Sequence, residues 1–164
     1  MKSALIAVGM VMSFGVLNAG GNVSPVAPIA EPSTHCGSND VYVENNTNLM
    51  WQDQAYTNQE DAAYKREHSH GKAGSWKHAM RYCQSLDYAG YRDWRLPTAD
   101  ELSHMHRHFG QLFKHYRGDD FWTSTPTVEN KYYVVYPVDA YLNKRHPNQS
   151  NYIRCVRCLT EAEK

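Results

Sequence analysis

The stretch Ala89-Gly90-Tyr91-Arg92-Asp93-Trp94-Arg95-Leu96-Pro97-Thr98-Ala99-Asp100-Glu101-Leu102 contains a loop, a short ordered run and the start of a helix. Gly90 marks the loop from Asp87 to Trp94. Thr98 followed three residues later by Glu101 is a capping box, in which each side chain satisfies the other residue's backbone N–H. Leu102, Met105, Phe109 and Leu112 then recur at the spacing of one helical face. Upstream, Ser75 is placed to cap a helix whose apolar positions are Trp76, Ala79, Met80, Cys83 and Leu86, with Cys83 facing inward. Further upstream, Val41-Tyr42-Val43 and Leu49-Met50-Trp51 flank the turn-forming Glu44-Asn45-Asn46-Thr47, which reads as a hairpin. Downstream, Phe121 to Ser124, Tyr132 to Tyr141 and Tyr152 to Cys158 are aromatic, alternating and β-prone. A hairpin, two helices and a run of strands in this order read as an α+β fold. The polar segment from Asp53 to Gly74 lacks an apolar stripe and reads as a long surface excursion with room for one helical turn.

The ends set the compartment. Met1 to Ala19 has a basic start, an apolar run from Ala4 to Val16 and small residues before Gly20, as a cleavable signal peptide does. The apolar run is shorter than the roughly 20 residues that cross a bilayer, so no membrane anchor is expected after cleavage. Residues 20–35, rich in Gly, Pro, Ala and Val, read as a flexible linker. Residues 36–160 remain as one domain of ordinary size. Seventeen basic residues balance seventeen acidic ones, which disfavours nucleic acid as a partner.

Export makes disulfides the leading reading of Cys36, Cys83, Cys155 and Cys158, with three pairings open. The spacing of Cys155 and Cys158 also suits a redox pair or half a zinc site. However, no second such pair exists, and the surrounding residues alternate as in a strand.

Taken in order, five stretches form a series: Thr47-Asn48-Leu49-Met50-Trp51-Gln52; Ser75-Trp76 with Ala79 and Tyr82-Cys83; Ala89 to Thr98 with Glu101-Leu102; Phe121 to Thr125; and Tyr152 to Arg157. This series resembles the C-terminal domain family of the Legionella collagen-like adhesin over about Asp40 to Cys158. The resemblance implies a C-type-lectin-like fold whose N-terminal hairpin closes with the C-terminal strand of an antiparallel set. It implies a disulfide between Cys83 and Cys155, and it brings Cys36 to face Cys158. It also implies adhesion to glycans, sulfated ones included. Trp51, Trp76, Trp94 and Trp122 are expected in the core, and Arg95, Arg154 and Arg157 in pairs with Asp93, Asp100 or Glu101.

Ligand contacts are expected in the late loops, Thr125 to Lys131 and Asp139 to Ser150. Glu129, Asn130, Asp139, Tyr141, Asn143, Lys144, Arg145 and Asn148 offer an aromatic face, amides and a basic cluster suited to a polyanionic sugar or an envelope or host-surface protein. His104 and His108, one helical turn apart, could grip zinc, but a third ligand is not evident; His106 lies between them, and His68 and His70 form a weaker pair. The calcium-and-sugar triplets of C-type lectins are missing, so no cofactor is expected, with calcium or zinc the candidates if one is bound. The same fold resembles the formylglycine-generating enzymes, which use a cysteine pair. Here the cysteines read as staples, and the chain reads as a binding domain with no enzymatic activity.

Overall fold

The computed structural model describes residues 40–109 and 112–163; the proposed signal peptide, the linker and Cys36 lie outside them. The fold is α+β. Strands β1 (Val41–Glu44) and β2 (Leu49–Gln52) form the expected hairpin, with Asn48 at a φ of 57° in its turn. Asn tolerates that left-handed backbone better than most residues. The C-terminal strand β8 (Val156–Cys158) pairs antiparallel with β2, giving a three-stranded sheet in the order β1-β2-β8. The chain therefore closes on its own first hairpin.

A second sheet has the order β3-β7-β4-β5-β6, formed by β3 (Ala73–Gly74), β4 (Phe121–Pro126), β5 (Tyr132–Tyr136), β6 (Tyr141–Arg145) and β7 (Asn151–Tyr152). Its strands are not all antiparallel as expected, since β4 meets β7 in parallel at Phe121 and Tyr152. The run from Tyr152 to Cys158 is also not one strand. Tyr152 ends β7 in one sheet, Val156 begins β8 in the other, and the residues between cross from sheet to sheet. Every residue from Asn151 to Arg157 is buried, so no solvent-facing turn residue marks the crossing in the sequence.

The segment from Asp53 to Gly74 is a correction. It carries a third helix, α1 (Asn58–Lys65), and β3, and Glu60, Ala63, Lys72 and Ala73 anchor it in the fold while residues 65–70 stay exposed. Thr57 and Glu60 form a complete capping box: the Thr57 hydroxyl accepts from Glu60 N at 3.2 Å, and Glu60 Oε2 accepts from Thr57 N at 2.8 Å. Glu60 Oε1 accepts from Lys72 N at 2.7 Å and from Lys72 Nζ at 2.9 Å, with both side chains buried. Glu60 and Lys72 thus pair inside the segment, while Asp53 and Asp61 reach Arg154 and Arg117 outside it.

Helix α2 (Trp76–Gln84) starts at its Ser75 cap, and α3 (Ala99–Phe109) starts after the Thr98 and Glu101 box. Glu101 also holds Arg95 in a two-pronged pair at 2.6 and 2.8 Å. Arg157 pairs with Asp93, as expected, and with Glu163, whose carboxyl is held down to about 2 first by Arg157 and then by Thr160. Arg154 instead turns inward to Asp53, at 3.0 Å. Cys83 and Cys155 form the expected disulfide, joining α2 to the residue before β8. Cys158 is exposed, unbonded to any described residue and 3.9 Å from an Arg95 nitrogen. It lies opposite Leu49, at the end of the sheet away from Asp40.

Two apolar clusters fill the interior. One gathers Trp51, Leu102, Met105, Phe113, Phe121 and Val156; the other gathers Trp94, Leu96, Trp122, Val134, Ile153 and the disulfide. Three tryptophans are buried as expected. Trp76 is half-buried and packs against the edge of the second cluster.

His106 is buried on α3, and neither ring nitrogen has a hydrogen-bond partner among the described residues. Burial, with the positive charge of Arg154 adding to it, pushes its imidazole down to about 4. The folded state binds its proton less readily than the unfolded chain, whose histidine titrates near 6.5. The stability from neutral His106 is therefore complete above about pH 6.5 and is lost as pH falls towards 4, by up to about 3 kcal/mol. Denaturant titrations from pH 4 to 7 should show the wild type losing more stability than His106→Leu. Equal slopes would refute the assignment.

Candidate functional site

Three hollows bear on binding. The roomiest, about 550 Å³, is a groove lined by residues of three regions: Trp76 and Lys77 at the start of α2, Pro126, Thr127 and Asn130 to Tyr132 around the β4–β5 turn, and Pro147 and Asn148 after β6. Local chemistry fixes its aromatic wall. Ser75 ends the extended chain and starts the helix, so Trp76 is the first helical residue and its backbone N–H donates to Pro147 O at 2.9 Å. Its indole N–H donates to Thr123 O at 3.0 Å. Its ring lies on Tyr132, with centroids 3.7 Å apart and planes 14° from parallel. The satisfied indole N–H and the stacked Tyr132 ring fix the plane of Trp76. The side-chain amides of Asn130 and Asn148 make no hydrogen bond among the described residues, and Lys77 has no ion-pair partner there.

The structure distributes the residues expected to bind ligand over separate places. Asn130 and Asn148 reach this groove. Glu129 lies beside it and bridges Lys131 and Lys144, each at 3.3 Å. Lys144, then Lys131, holds the Glu129 carboxyl below its usual range. The segment from Tyr141 to Arg145 is strand β6 rather than loop, and strand alternation sends Tyr141, Asn143 and Arg145 to one face and Lys144 to the other. Arg145 is bound to buried Asp120 at 2.5 and 2.8 Å. The basic cluster expected from Lys144 and Arg145 is thus divided by the pleat, and each charge has a local partner. Asn143 and Arg145 line a second hollow of about 290 Å³ with Tyr64, Asp119, Asp120 and Tyr136. Tyr141 stands exposed at the end of the β5–β6 hairpin, where Asp139 accepts from its backbone N–H at 3.0 Å.

His104 lies 3.2 Å from the buried carboxylate of Glu44 and lines a third hollow, also about 290 Å³, with Asp100, Ser103, Arg107 and Leu142. The side chain of His108 lies outside the described residues. Among the described residues no group of three or more His, Cys, Asp or Glu side chains is placed to hold a metal ion.

Reading the sequence found the turn half of the groove and missed the helix half. Trp76 fits the apolar stripe of α2 and so reads as core. The signal that could have found it is its position directly after the Ser75 cap, where one side of a helix end is open.

A family model described as the Lcl C-terminal domain matches residues 40–157. No curated protein matches the chain.

Proposed function

Because this chain belongs to the Lcl C-terminal domain family, we propose that it is an exported, adhesin-like binding domain of C-type-lectin-like fold that recognises a glycan in the Trp76 groove. The observation that carries the reading is the half-buried Trp76–Tyr132 stack lining that groove. Sugar rings present C–H faces that pack on aromatic planes, and the amides of Asn130 and Asn148 have the donors and acceptors that hydroxyl groups need. Lys77 supplies positive charge for an acidic substituent. The joining of first hairpin to last strand and the disulfide from α2 to the approach of β8 support the lectin-like reading of the fold.

A glycan array followed by calorimetry tests this. Trp76→Ala should weaken binding roughly tenfold, which is about 1.4 kcal/mol, and Asn148→Ala, on the exposed rim, should weaken it without changing the melting temperature. A silent array, or unchanged affinity in both variants, would refute the groove. A protein partner is the second reading, favoured by Val138, Tyr141 and Leu142, which the β5–β6 hairpin leaves exposed. Capture of an envelope protein that depends on those three residues would support it.

A further inference from the structure

The hollow beside β6 has the opposite chemistry to the groove. Three carboxylates, Asp61, Asp119 and Asp120, stand in or beside it against two guanidiniums. Arg145 grips Asp120, whose side chain is 5 % exposed, and Arg117 grips Asp61 at 2.9 and 3.1 Å. Asp119 has no cationic partner among the described residues; its Oδ1 accepts only the Tyr64 hydroxyl, at 3.2 Å. One negative charge is left over. Tyr64 and Tyr136 form the aromatic walls. Tyr64 is held by stacking on Tyr152, with centroids 4.6 Å apart, and burial with the neighbouring aspartates pushes its phenol up to about 12, so the ring stays neutral. Tyr116 lies within electrostatic reach of both Tyr136 and Asp119.

Aromatic faces carry negative charge density and attract cations, most strongly where water is partly excluded. A carboxylate without a cationic partner, lining the same hollow as two such rings, repels anions and leaves a neutral sugar with no special advantage. The volume of about 290 Å³ suits a small headgroup rather than an oligosaccharide. We propose that the hollow formed by Tyr64, Tyr136 and Asp119 binds an alkylammonium group, with the cation against the tyrosine rings and Asp119 as its counter-charge. The amide of Asn143 is placed for a polar atom on the same ligand. The site is independent of the glycan groove.

Two probes are titrated side by side against the intact protein, with tyrosine ring resonances as the readout: choline, and a peptide carrying one trimethyllysine. Saturation by either supports the site, and the tighter probe tells a free small molecule from a protein side chain as the source. Sodium chloride at equal ionic strength should give no saturable shift at Tyr64 or Tyr136. Asp119→Asn and Tyr136→Leu should each weaken binding roughly tenfold, whereas Tyr136→Phe, which keeps the ring face, should stay within about twofold. No saturation up to about 0.1 M of either probe, or unchanged affinity in Asp119→Asn, would overturn the proposal.

Discussion

Replacing Asp53 by alanine is expected to destabilise the domain by about 3 to 5 kcal/mol, because it strands a charge in the core. The guanidinium of Arg154 lies inside the fold, 3.8 Å from the centre of the Phe113 ring, and donates to Gln52 O and His115 O at 2.8 and 2.6 Å. Asp53 is its only anionic partner among the described residues, and the two side chains are 2 % and 7 % exposed. The same carboxylate accepts from the backbone N–H groups of Lys114 and His115 at 2.7 and 3.0 Å, so it also fixes the segment that follows α3. Its removal would leave a buried cation without its counter-charge and two backbone N–H groups without their acceptor. Asp53→Asn keeps an acceptor and should cost less. Joint replacement, Asp53→Leu with Arg154→Met, should recover part of the loss, since no charge then remains buried. Guanidinium chloride unfolding measures all three. A cost below about 1 kcal/mol for Asp53→Ala would show that Arg154 reaches solvent.

The second large effect concerns the staple. The Cys83–Cys155 bond spans 72 residues, and in the chain-entropy account a closed loop of that size contributes about 4 kcal/mol. Against a typical total of about 5 to 15 kcal/mol this is a major share. The double variant Cys83→Ala with Cys155→Ala should melt roughly 10 to 20 °C lower. Both cysteines are fully buried, so a thiol reductant should attack the wild type only as it unfolds. A melting temperature unaffected in the double variant would mean that the two clusters hold α2 against β8 unaided.

What the sequence made legible, and what it hid, follows from how local each cause is. Both predicted helix starts stand, because a cap is an exchange between residues three apart: Ser75 with His78, and Thr98 with Glu101. The same pattern at Thr57 and Glu60 went unread because the helix it opens has only two buried residues and no apolar stripe to announce it. Its stability comes from Glu60 reaching Lys72 twelve positions away, which periodicity does not detect. The candidate site divides in the same way. Asn130 and Asn148 are readable as loop amides, but their convergence on Trp76 depends on three distant segments meeting. The charges of Lys144 and Arg145 are visible in sequence, whereas Glu129 and Asp120, which neutralise them, are 15 and 25 positions away.

The order β1-β2-β8 also has a mechanical meaning. Strands β1 and β8 flank β2 and run the same way, the first joined by four residue pairs and the last by three. The described chain enters at Asp40, beside Asp53, and leaves past Cys158, beside Leu49, at opposite ends of the sheet. Hydrogen bonds between strands lie across the strand direction. Tension between the two ends therefore loads both ladders in shear, so that the rungs share the force and must fail together instead of peeling one at a time.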